Sequence, residues 1–247
     1  MKGQRPYNIS IFSGKKIISK DLWNLKQRAP GALLQAIRGV EEQTWVVLEE
    51  LQKQDPGADV TTVKDDQGQV NLLFFQTSYM KSCFLSFGSV LSIDGTYCVN
   101  LTGYPLYVFL VVDGEGKGHV VGYALVKDER MATITCLFQE FVALNANSLS
   151  LIKTVIVDKD NSELGALKTI IPDANIILCR YHVVAAVSAA IHKKVRKQEV
   201  DIVIETVKAM VWAPTEAEFL RLLATIPEGE FLDYFKKCWL NAEVIAK

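Results

Sequence analysis

The most constraining feature of this sequence is a series of strand-like segments between Gly88 and Leu178 whose connections change from short to long. Residues 90–99, 106–112 and 119–126 are apolar and rich in β-branched side chains. Only Gly103-Tyr104-Pro105 and the turn Asp113-Gly114-Glu115-Gly116 separate their cores. Links this short join neighbours in an antiparallel meander. Beyond residue 126 the spacing predicts a helix over 131–146, a strand over 151–157, a helix over 161–171 ending at Pro172, and a short buried strand over 175–178. With right-handed crossovers, the order βββαβαβα places the fourth strand beside the first and parallel to it. The result is a mixed α/β sheet of order 3-2-1-4-5.

The flanks are helical. Ser19 is placed to cap a helix over 20–28, and a longer helix over 32–54 is stopped by Asp55-Pro56-Gly57. Residues 60–63 and 69–75 bracket Lys64-Asp65-Asp66-Gln67-Gly68 as a hairpin. After Tyr181 the pattern is helical, punctuated by Pro214 and Pro227, with Thr215 as a cap. Three regions follow: an N-terminal basic helical segment over 1–57, an α/β core over 58–198 and a helical insertion over 199–247.

Composition narrows the function classes. Hydrophobic residues at 49% exclude disorder of the whole chain. The longest apolar runs, such as 106–112, fall far short of the ~20 residues of a membrane helix, so no membrane partner is expected. No apolar segment follows Met1-Lys2-Gly3-Gln4-Arg5, so no secretory signal is read there. An odd five cysteines argue against a disulfide framework and for a reducing compartment, cytosol or nucleus. Balanced charge, 27 basic against 28 acidic residues, excludes a uniformly basic nucleic-acid coat but leaves room for a local basic face.

Two acids stand where the topology gives them meaning. Asp94 interrupts the apolar strand Val90-Leu91-Ser92-Ile93, and Asp158 ends Val155-Ile156-Val157. If these strands pair, a spacing of ~4.8 Å brings the carboxylates close enough to share an ion. Two buried like charges repel, and a divalent cation is the usual resolution. The bland role for Asp158 is to cap the following helix. Glu129 reads as the opening of the helix near Met131, and Glu163 as a surface acid favoured by the helix dipole. Cys179-Arg180-Tyr181-His182 is half a zinc site without a matching second pair, so Cys179 and His182 also fit a packing role. Lys193, Lys194, Arg196 and Lys197 form a basic cluster on a helix, either a solvated face or a phosphate contact. No glycine-rich nucleotide loop, zincin helix or serine-hydrolase elbow is present in the sequence.

Taken together, several linked motifs resemble a known family. Ile93-Asp94-Gly95-Thr96-Tyr97, Tyr104-Pro105-Leu106 and Leu125-Val126-Lys127-Asp128-Glu129 are followed by Val157-Asp158-Lys159-Asp160, Ile171-Pro172-Asp173-Ala174 and Cys179-Arg180-Tyr181-His182-Val183. Over about 60–187 the order and spacing resemble the Mutator-like element transposase domain, most closely its domesticated relatives with SWIM zinc fingers. Plant far-red-response transcription factors share the same core. The resemblance implies a ribonuclease-H-like fold, Mg²⁺ or Mn²⁺ at a D-D-E site, strand cleavage and transfer on DNA, and a nuclear protein. Asp94 matches the first acid, Asp158 the second, and Cys179 with His182 the family's C-x2-H step, whose proposed role is to shape the site or assist DNA handling. Glu216, Glu218 and Glu243 lie outside the family's third-acid motif, so none is assigned. The flanking zinc modules have no counterpart either, and the chain reads as a truncated piece of something longer. Two functions follow as expectations: a transposase-type core lacking its third acid, or a non-catalytic DNA- or protein-binding module. Homo-oligomers and protein partners stay open.

Overall fold

A computed structural model describes residues 42–96 and 103–240. The expected helix over 20–28 and the first part of the one over 32–54 lie outside the described residues. Helix α1 (Glu42–Gln54) leads into the hairpin β1 (Asp59–Lys64) and β2 (Val70–Gln76), then α2 (Ser78–Phe87). The meander follows as β3 (Val90–Thr96), β4 (Leu106–Val112) and β5 (Gly118–Val126). Helix α3 (Met131–Leu144) and a 3₁₀ turn (Ala146–Leu151) lead to β6 (Thr154–Val157), α4 (Asn161–Ile170) and β7 (Asn175–Leu178). Four helices complete the described chain: α5 (Arg180–Lys194), α6 (Val200–Val211), α7 (Glu216–Leu223) and α8 (Glu230–Trp239). The described residues divide between Ile176 and Ile177 into two compact units.

All seven strands form one mixed sheet, β1-β2-β5-β4-β3-β6-β7. The expected order 3-2-1-4-5 is present as β5-β4-β3-β6-β7. The hairpin adds two strands beyond β5, through antiparallel pairs from Leu72↔Val126 to Phe75↔Tyr123. Between hairpin and meander the residue pattern predicts no element, yet α2 forms there. Its cap is Thr77, whose hydroxyl accepts from the Met80 N–H at 3.2 Å. The strand expected over 151–157 begins only at Thr154, because its first residues close the 3₁₀ turn.

Alternation along the strands divides the apolar side chains between two faces. Leu91, Ile93, Tyr107, Phe109 and Val111 pack on one face with Ile134, Leu137, Phe138 and Phe141 of α3 and Ala166 and Leu167 of α4. Phe109 stacks on Phe141 with ring centroids 4.6 Å apart. Leu73, Phe75, Leu106, Tyr123 and Leu125 pack on the other face with Leu48 of α1. Gln76 and Asn145 are buried polar partners: Gln76 Nε2 donates to Val121 O and to Asn145 Oδ1, and Asn145 Nδ2 returns a bond to Gln76 Oε1.

The second unit has its own core, built from Val187, Ile191, Val203, Val207, Phe231, Phe235 and Trp239. Thr215 caps α7 as expected, accepting from the Glu218 N–H. The basic cluster is corrected: α5 ends at Lys194, so Arg196 and Lys197 stand in the turn that follows rather than on a helix.

Candidate active site

The parallel pairing of β3 with β6 sets Val90 beside Thr154, Leu91 beside Val155 and Ser92 beside Ile156. That pairing ends at Ser92 and Ile156, two residues before Asp94 on β3 and two before Asp158, which follows the last residue of β6. Alternation sets Asp94 on the same face of β3 as Ser92. The burial of the two acids differs from expectation, since both are exposed.

The capping role expected of Asp158 belongs to Asp160. Its Oδ1 accepts from the N–H groups of Ser162 (2.8 Å) and Glu163 (3.1 Å), while Asp158 Oδ1 accepts from the neighbouring Lys159 N–H. Ahead of α3, Asp128 accepts from Arg130 N–H and Thr133 Oγ1, and the helix has no side-chain cap.

Glu163 overturns its reading as a surface acid, for it is only 4% exposed. It shares the buried face of α4 with Ala166 and Leu167, at i, i+3 and i+4, and that spacing was legible in the sequence. Tyr107 Oη lies 3.1 Å from Glu163 Oε1 and 3.1 Å from Glu129 Oε1. Burial, with the charges of Asp160, Asp158 and Asp94, outweighs the Tyr107 hydrogen bond and pushes the Glu163 carboxyl up to about 8. Burial first, then Asp160, raises Glu129 as well. Tyr107 is raised by burial and by the Glu163 charge, so it stays a neutral donor. Gly95 makes the room: it pairs with Tyr107, and a Cβ there would meet Tyr107 Cζ at 3.1 Å and Glu129 Oε1 at 3.3 Å.

Among the described residues, no three His, Cys, Asp or Glu side chains are grouped so as to hold a metal ion. The donor chemistry of Asp94 and Asp158 nonetheless fits a hard divalent cation. Mg²⁺ keeps several waters and is held through one or two carboxylates together with phosphate oxygens.

In the second unit, Cys179 stands at the N-cap of α5. Burial pushes its thiol up, but hydrogen bonds with the His182 side chain and backbone outweigh that and hold it below the ordinary range. Lys193, Arg196 and Lys197 are exposed. Lys194 is engaged with Glu230 and lies 5.7 Å from the centroid of the Tyr234 ring.

Residues 49–177, more than half of the chain, match the sequence profile of the RNaseH-like domain of Zinc finger SWIM domain-containing protein 1/3. The chain belongs to this family. Over 169 residues, 68% of the chain, it is also 24% identical to Protein FAR-RED IMPAIRED RESPONSE 1 of Arabidopsis thaliana, of which the match spans 20%. This SWIM-family RNase H-like domain is thus of the transposase-derived, Mutator-related kind. Asp94, Tyr107, Glu129, Asp158 and Glu163 all lie within the family span, whereas Cys179, His182 and the basic residues follow it.

Proposed function

We propose that this SWIM-family RNase H-like domain binds DNA in the nucleus and holds a divalent cation, Mg²⁺ or Mn²⁺, on Asp94 and Asp158. The observation that supports the reading is the parallel β3–β6 pairing, which runs to Ser92 and Ile156, two residues before each of two exposed carboxylates that are far apart in sequence. Such a cation, when bound, supplies Lewis-acid stabilisation to a phosphodiester and a more acidic water. The chain's own part is to orient that ion against two interior strands of the sheet, β3 and β6. Lys193, Arg196 and Lys197 contribute phosphate contacts, which position a duplex without reading its sequence. Lys194 has a weaker claim because Glu230 already neutralises it. Cys179 and His182 assist the handling of DNA as a hydrogen-bonded thiol–imidazole pair.

Thermal melts test the cation. Mn²⁺ raises the Tm of the wild type and leaves Asp94→Asn unchanged. A wild type that Mn²⁺ does not stabilise ends this reading. The absence of a third grouped ligand among the described residues favours a second function, association with DNA or protein without cleavage. A supercoiled-plasmid assay with Mn²⁺ separates the two. Nicking that Asp94→Asn abolishes marks a cleaving core, and retention of the plasmid without nicking marks a binding module.

A further inference from the structure

Arg180 opens α5 and Trp212 closes α6 at its C-cap, so the start of one helix meets the end of the next. The Arg180 guanidinium lies over the Trp212 ring, 4.5 Å from its centroid. An indole face attracts a cation at that distance, and a guanidinium held there still has its N–H fork for a phosphate. Among the described residues no carboxylate pairs with Arg180. Trp212 is 43% exposed, and Tyr181, next to Arg180, is 40% exposed. Single exposed apolar residues are ordinary, but here Trp212 touches Arg180 and Tyr181 adjoins it. Trp, Tyr and Arg together are the side chains that recognition surfaces favour.

Charge decides the partner. Between Asp173 and Glu199 the chain carries Arg180, Lys193, Lys194, Arg196 and Lys197 and not one acid. That run favours a polyanion over an ordinary protein surface. Stacking decides its form. In a duplex the base faces cover one another, whereas an unpaired base offers its face to an aromatic side chain.

We infer that Arg180, Tyr181 and Trp212 form a platform for an unpaired strand of nucleic acid, the two rings stacking on bases and Arg180 taking a phosphate of the same strand. The inference rests on the DNA-binding reading above and adds that the strand is single where it crosses the start of α5.

Fluorescence anisotropy on the full chain decides it, with a labelled thymidine oligonucleotide, an abasic strand of the same length and a duplex as probes. Circular dichroism checks the fold of each variant. The wild type binds the thymidine strand about fivefold or more tighter than the abasic one, the gain of a single stacked base. Trp212→Ala and Tyr181→Ala each shrink that difference, Trp212→Phe keeps part of it, and none of the three changes duplex binding. Arg180→Gln weakens both strands alike and lowers the salt slope by about 0.7. If the duplex binds while thymidine and abasic strands bind equally, the DNA reading stands and this inference falls. A preference undiminished when Tyr181→Ala and Trp212→Ala are combined also overturns it. A uridine strand bound tighter than the thymidine strand upholds the platform and makes the strand RNA. An oligomer that sediments in wild type and dissolves in the combined variant, with strand binding unchanged, assigns the rings to a protein interface and overturns the inference. A chain that binds none of the probes overturns both readings.

Discussion

A glutamate on the first turn of a helix gains from the dipole whether or not it is buried, and Glu163 takes that place facing inward against Tyr107. Its folded carboxyl titrates near 8 against an ordinary value of 4.5, so the folded protein holds a proton that the unfolded chain has released. Between those two values the folded state binds more protons, and stability falls as pH rises through the window. Melts from acid to neutral pH should show Glu163→Gln losing less Tm than wild type over that range. Gly95 makes the second prediction at this scale. In Gly95→Ala the new methyl meets Tyr107 and Glu129 within 3.1–3.3 Å, and a loss of about 1 kcal/mol in chemical denaturation is expected. Asp94 and Asp158 drew attention in the sequence because one interrupts and the other ends an apolar strand. The Tyr107 junction was not, because its three members come from three separate segments and only the folded sheet brings them together.

At the scale of elements, short turns together with right-handed crossovers were enough to order the five strands from β5 to β7. Helix α2 escaped notice because Ser78–Phe87 mixes aromatic and hydroxyl side chains that suit no single period, and its definition comes from a cap. The hairpin's place beyond β5 was hidden as well, since nothing local in Val70–Gln76 names its partner, 45 or more residues away. Thr77→Ala removes the α2 cap and should cost about 1 kcal/mol in urea unfolding. Asp160→Ala should cost a similar ~1 kcal/mol by uncapping α4. Because Asp160 caps and Asp158 does not, Asp158→Asn should leave urea stability within about 0.5 kcal/mol of wild type.

For the whole molecule, a net charge of −1 gives no general attraction to a polyanion, so affinity for DNA has to come from a local set of cations. Charge reversal of Lys193, Arg196 and Lys197 together should weaken binding to duplexes of any sequence. It should also flatten the plot of log K against log salt by about 0.9 for each phosphate that is no longer neutralised. Fluorescence anisotropy across a salt series measures both effects, and an unchanged slope would remove these residues from the interface. A different consequence follows from the buried amides of Gln76 and Asn145. Residues Leu72 to Gln76 are buried throughout, yet Val121 and Asn145, which complete their surroundings, lie 45 and 69 positions further along. On a ribosome that apolar strand emerges long before its cover is made. Apolar surface left uncovered during synthesis is a general hazard for aggregation until its cover forms.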